Sequence, residues 1–179
     1  MAKVTTRGGD AGYTGLLGAE RVAKYDARIE ALGLVDEATS ALGLARASAA
    51  DERVRAIILE QQQTLYRLMA ELAATPEAMA KLALSGITAS DVAGLEDVSD
   101  ALKREVEIGN RFVIPGESVS GAAIDLARTV VRRAERHVAR MTHDGDVPNP
   151  DVLRYLNRLS DTLFILARYV ERGHVREAS

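Results

Sequence analysis

Cysteine and Trp are absent from this chain of 179 residues, and Phe occurs only twice. The lack of Cys excludes disulfides, thiolate metal ligands and cysteine nucleophiles, and leaves the protein without a thiol reductant of its own. Aromatics make up only 4% of the chain. A core must therefore come from Leu, Ala, Val and Ile, which suits helix packing better than a sheet sandwich. No apolar run approaches the roughly 18 residues of a membrane span, and the N-terminus shows no signal-peptide apolar stretch. A cytoplasmic protein without a membrane partner is expected. A surplus of one charge is also missing. Against 26 Asp and Glu stand 23 Lys and Arg, for a formal net charge of −3. The two signs are interspersed, as on solvated helix surfaces, and nothing suggests a nucleic-acid binder. There is no strand-like alternation, no internal repeat, no Walker GxxxxGK[ST] and no GxGxxG.

What is present is helical periodicity. Asp26 reads as the N-cap of a helix running to about Ala49, with Ile29, Leu32, Val35, Leu42 and Ala45 as its apolar pattern. Gly33 and Gly43 inside it each cost ~1 kcal/mol relative to Ala unless close packing or a ligand needs them. A second helix is expected from about Asp51 to Ala73, on Val54, Ile58, Gln61, Leu65, Leu68 and Leu72. Thr75-Pro76 breaks it, and residues 77–87 read as irregular or as one short turn. A third runs from Ser90 to near Gly109, with Leu95, Leu102 and Val106 on one side. The fourth, from about Ser118 to Met141, carries Ala123, Ala127, Val130, Ala134, Val138 and Met141. The fifth, from Asp151 to about Arg172, carries Val152, Leu156, Leu159, Leu163, Leu166 and Val170. The expectation is an all-α, five-helix antiparallel bundle. It forms one domain over residues 1–179, with residues 1–25 as a Gly-rich N-terminal loop and 26–174 as the bundle.

Three features could carry chemistry. The first is Thr6-Arg-Gly-Gly-Asp-Ala-Gly-Tyr-Thr-Gly15, whose backbone N–H groups and Thr hydroxyls can wrap phosphate oxygens; alone this is a weak signal. The second is an Arg-rich helix. Advancing about 100° per residue from Arg128 places Arg132 and Glu135 in one stripe and Arg133, Arg136 and Arg140 in another. Arg128 and Arg132 at i,i+4 repel mildly, so this is either a solvated surface or a guanidinium stripe built for phosphate or carboxylate. The third is a polar stripe of Asn157, Asp161 and Arg168 on the last helix. It is either a solvated face or, because Asn is a poor mid-helix residue, one whose amide serves a ligand. A ferritin-like di-iron bundle needs two Glu-x-x-His motifs. The chain has one match, Glu171 to His174, and His137 and His143 stand outside that spacing.

Taken together, several blocks resemble a known family. "Thr6-Arg-Gly-Gly-Asp-Ala-Gly-Tyr-Thr14", "Arg21-Val-Ala-Lys24" and "Gly33-Leu-Val-Asp36-Glu37" are similar to the N-terminal signature of the PduO-type ATP:cob(I)alamin adenosyltransferases. So are "Phe112-Val-Ile-Pro-Gly116", "Ala127-Arg128" through "Arg136", and "Tyr155-Leu-Asn157-Arg158-Leu-Ser-Asp161", in the same order. Residues 75–105 contribute little. The resemblance implies a five-helix bundle assembled as a homotrimer with active sites between subunits. It also implies transfer of the 5′-deoxyadenosyl group of ATP to the cobalt of cob(I)alamin, giving adenosylcobalamin and triphosphate.

By the same resemblance, Thr6, Arg7, Gly8, Gly9, Asp10, Gly12, Thr14, Gly15 and Lys24 hold ATP from the loop. Arg132, Arg133, Glu135, Arg136 and Asn157 complete the nucleotide site, with Asn157 near Lys24. Mg2+ is held mainly by the ATP phosphates, with a protein contact at Glu135. Asp36 and Arg128 form a salt bridge across the subunit interface, and Phe112 packs beneath the corrin and displaces the lower cobalt ligand. Phe112, Arg128, Arg132 and Asp36 are the implied catalytic set. Implied partners are an external flavin-type reductant and an adenosylcobalamin-dependent acceptor enzyme. Two positions depart from the family pattern: Glu117 replaces a second Gly after Pro115-Gly116, and Asp125 replaces a common His. Both bear on corrin contacts more than on ATP. A second reading of the same blocks is a nucleotide- and cobalamin-binding delivery module without efficient turnover.

Overall fold

In the computed structural model, the described residues are 5, 7–18, 21–109 and 112–172. Thr6 and His174, both singled out above, lie outside them. A small antiparallel hairpin pairs β1 (Tyr13–Gly15) with β2 (Arg21–Ala23), Thr14 facing Val22. Six helices follow: α1 (Ala27–Ser48), α2 (Glu52–Ala73), α3 (Pro76–Lys81), α4 (Ala89–Lys103), α5 (Val119–Asp144) and α6 (Pro150–Val170). The sequence reading expected no strand. Three-residue strands in a Gly-rich segment are too short to show alternation. The extra helix is the single turn α3, capped by the Thr75 side chain with Pro76 in its first turn.

Local chemistry sets the ends. Asp26, Asp51, Ser118 and Asn149 each cap a helix by accepting from a backbone N–H two or three residues on, which satisfies donors that the first turn leaves orphaned. Thr88 and Asp91 form a reciprocal capping box at the start of α4. That helix stops at Lys103, short of the expected Gly109. Gly145 closes α5 at φ 88°, a left-handed conformation in which a Cβ would be strained.

α5 packs between α1 and α6, α2 packs on α1, and α4 on α6. The core is aliphatic: Val35, Leu42, Ile58, Leu65, Leu68, Ile124, Leu156, Leu159 and Leu166 are buried in one cluster. On α5 the buried residue is Val131 rather than the expected Val130, and Ile29, Leu32 and Val170 are only half-buried. Inside this core the Tyr155 phenol donates to Gln61 Oε1 at 2.7 Å. Burial pushes that phenol well above the ordinary tyrosine range. Arg168, on the polar stripe of the last helix, is 2% exposed and ion-paired, which rules out a solvated face at that position. The start of α5 covers that end of α6 and supplies Asp125 as its partner.

Candidate functional site

The N-terminal loop is a compact turn rather than a loose strand. Arg21 donates from Nη2 to the carbonyls of Gly8 and, at 2.8 Å, of Tyr13. The Lys24 backbone N–H donates to Gly12 O at 2.9 Å. A Cβ built on Gly9 would stand 2.8 Å from Lys24 Nζ, so the absent side chain is what lets the ammonium lie over that backbone. Gly12 has φ +80°, and Arg7 is held at φ 58°, which is uncommon for a residue with a side chain. Gly8, Gly9, Lys24 and Arg21 are thus gathered in one place, with Asp10 on the turn and Thr14 and Gly15 on the β1 strand that follows it. Sequence reading passed over Arg21 as a structural tie. Leu17 docks the loop on the bundle through hydrogen bonds with Ala73 and Thr75.

A second concave region lies between α4, α5 and α6. It is a cleft of about 600 Å³ lined by Arg128, Arg132, Arg158, Lys103, Glu96, Asp161, Ile108 and Phe164, among others. Four cations line it together with Glu96, Asp100 and Asp161, and Arg158 pairs with Glu96 and Lys103 with Asp100. Beside it, Asn157 Nδ2 donates to Glu135 Oε1 at 2.9 Å, and Arg158 Nη1 donates to Asn157 Oδ1 at 2.9 Å. The mid-helix Asn is therefore held by protein groups on both ends of its amide. Arg128 Nε donates to Asp125 Oδ1 at 2.9 Å, so its partner within this chain is three residues back on its own helix.

The other predicted residues are spread around the bundle. Asp36 is exposed on α1. Arg133 pairs with Glu37 of α1, and Arg136 donates to the carbonyl of Arg132. Phe112 is 89% exposed, with Ile114 and Val119 exposed nearby in sequence. The loop leans on α2 and α3, whereas Arg128 and Arg132 line the cleft on the α4–α6 side. Among the described residues no group of three or more His, Asp or Glu is placed to hold a metal ion.

Comparison with known proteins decides what this arrangement belongs to. The profile of the cobalamin adenosyltransferase family matches residues 4–170. The chain belongs to the cobalamin adenosyltransferase family. It is 37% identical over 171 residues to a corrinoid adenosyltransferase of Citrobacter freundii, covering 96% of each chain. It is 38% identical over 165 residues to the corrinoid adenosyltransferase PduO of Salmonella typhimurium, but spans about half of that protein, 48% of its length. A solved structure of a variant PduO-type ATP:corrinoid adenosyltransferase from Lactobacillus reuteri, complexed with cobalamin and ATP, superposes with a TM-score of 0.86. Its sequence is 28% identical, over 99% of this chain and 100% of that one.

The sequence places Arg168 on a polar stripe and Glu171 in a Glu-x-x-His match, but does not show their burial or their pairing with each other. The signal was weak: the two stand at i,i+3 on a helix with an otherwise apolar inner face, and only tertiary packing shows that the Arg lies inside.

Proposed function

We propose that this protein transfers the 5′-deoxyadenosyl group of ATP to the cobalt of cob(I)alamin, forming adenosylcobalamin and releasing triphosphate. The observation that carries this is the family match over residues 4–170, together with likeness to an enzyme complexed with both substrates. The loop and the cleft support it. In the reaction the Co(I) electron pair forms the bond to C5′, and the C5′–O bond breaks with its electrons leaving on triphosphate. Co(I) is nucleophilic enough to need no protein base, so the chain's work is orientation and charge stabilisation. Arg7, Lys24 and the Gly8–Gly9 backbone hold phosphate from the loop, with Asp10, Gly12, Thr14 and Gly15 shaping it. Arg132 neutralises charge on the leaving group. Asn157 and Glu135 orient the nucleotide, and Arg133 and Arg136 add positive charge along the same helix. Mg2+ enters with ATP; the Glu135 carboxylate is a hard oxygen donor suited to it.

The separation of loop and cleft within one chain supports a homotrimer in which the loop of one subunit completes the cleft of its neighbour. Asp36, exposed on α1, then reaches Arg128 across that interface. Phe112 projects from its loop to pack under the corrin and exclude a lower cobalt ligand, which eases reduction of Co(II). The whole chain, 1–179, acts as one unit in the cytoplasm. With no Cys, it takes its electrons from an outside donor such as a reduced flavin protein, and its product serves an adenosylcobalamin-dependent enzyme.

The test is direct. Protein, MgATP and chemically reduced cobalamin are mixed, and the Co(I) absorbance is followed. The expected result is its loss with formation of adenosylcobalamin. ATP binding with no transfer would establish the delivery module instead.

A further inference from the structure

Behind the cleft lies a buried ionic chain that no step of the proposed reaction uses. Arg168 is 2% exposed, Asp125 3% and Glu171 2%. Arg168 Nη2 donates to Asp125 Oδ2 at 2.6 Å and to Glu171 Oε2 at 2.9 Å. The other oxygen of Asp125 accepts from Arg128 Nε. The other oxygen of Glu171 accepts from the Ser118 backbone N–H at 3.1 Å. The Phe164 ring is shared by both guanidinium groups, 5.3 Å from Arg168 and 6.0 Å from Arg128.

Stability does not account for this chain. Taking ionised groups out of water is expensive, and apolar side chains of similar volume are often as good or better. Arg168 Nε is buried with no hydrogen-bond partner, which adds to the penalty. Gly121 makes room for the arrangement, since a Cβ there would lie 2.1 Å from Glu171 Oε1. What the chain achieves is geometry. At one end it grips Arg128 by Nε, leaving the outer edge of the guanidinium for the cleft that Arg128 lines. At the other end it holds Ser118, the cap of α5 and the root of the segment that carries Phe112. Asp125 gives two guanidinium groups two carboxylates in all; a His in its place would leave them one.

We infer that Asp125 and Arg168 are positioning residues: Arg168 fixes Arg128 in the cleft through Asp125 and anchors the base of the Phe112 segment through Glu171. The inference rests on the proposed role of the cleft in corrinoid adenosylation. Its test is a double-mutant cycle on kcat/KM for cob(I)alamin with MgATP, using wild type, Asp125→Asn, Arg128→Met and the double variant, with melting temperatures measured alongside. Asn keeps the shape of Asp but not a charged acceptor for each cation, so Asp125→Asn loses about ten- to a hundredfold, as for hydrogen bonds to charged groups. Met has no N–H to donate and has already lost the grip. Adding Asp125→Asn to Arg128→Met therefore changes kcat/KM by less than about threefold. Losses that multiply across the cycle would show a merely structural Asp125 and overturn the inference.

Wild type in the same series separates the two ideas, because its failure to turn over overturns the adenosyltransferase reading. A second measurement needs neither turnover nor the Asp125 variant. In 15N-labelled wild type, the Arg128 Nε–H, identified by its loss in Arg128→Met, exchanges slowly with solvent. Exchange as fast as that of a surface Arg overturns the grip.

Discussion

At the residue scale, Phe112 is the side chain whose position asks most for a reason. An aromatic ring 89% exposed gains nothing from its own fold, and burying it against another surface is worth about 1.5–3 kcal/mol. If it packs under a corrin and excludes the lower cobalt ligand, its value lies in the reduction of Co(II) rather than in adenosyl transfer. Phe112→Ala is therefore expected to slow product formation from Co(II) and reductant far more than from pre-reduced Co(I). Parallel assays from the two starting states check this, and equal losses would remove the ligand-excluding role. Stability should be untouched, since a fully exposed side chain leaves no cavity when truncated.

At the element scale, the N-terminal loop and the capped helices make different demands. The loop is tied by Arg21, Gly12 and Leu17 rather than by a core, and Arg7 stands next to the Gly8 tie. Trypsin cleavage after Arg7 is expected to slow severalfold when MgATP is added. Unchanged cleavage would separate the loop from the nucleotide. The capping box of α4 predicts a pH effect instead. Partial burial works to raise the Asp91 carboxyl, but its bonds to Arg67 and Thr88 outweigh this and hold it below its usual 3.8. A folded-state pKa below the unfolded one adds stability that is complete above about pH 4 and is lost as pH falls through the folded value. Asp91→Asn should thus flatten the acid limb of the stability curve and leave activity at neutral pH intact, as urea melts between pH 2 and 7 would show.

These elements also mark how far the sequence could be read. The long helices were legible because Leu and Ala recur at their spacing for six turns or so, and their starts were legible at Asp26 and Ser118. The hairpin was not, because three-residue strands have no period, and neither was the burial of Arg168, which depends on Asp125 arriving from another helix. Of the candidate site, the loop with Lys24 and the Arg128–Arg132 stripe emerged from sequence. That Arg133 turns to Glu37 and Asn157 to Glu135 required the packing of α1, α5 and α6.

At the scale of the whole molecule, the loop rests on Ala73 and Thr75, whereas the cleft opens between α4, α5 and α6. In the proposed reaction each part alone is incomplete, the loop without Arg132 to neutralise the leaving triphosphate and the cleft without the Gly-rich backbone to hold it. If neighbouring subunits complete each other, two damaged chains can rescue one another. Lys24→Ala disables the loop and Arg132→Ala disables the cleft, so each variant alone should retain little activity. Unfolded together and refolded as mixed oligomers, they bring an intact loop against an intact cleft at about a quarter of the interfaces, by random assembly of a cyclic oligomer. Activity of the mixture is therefore expected near a quarter of wild type, well above either variant. A site built from the loop and cleft of a single chain predicts no recovery, because every chain in the mixture then carries one lesion in its only site.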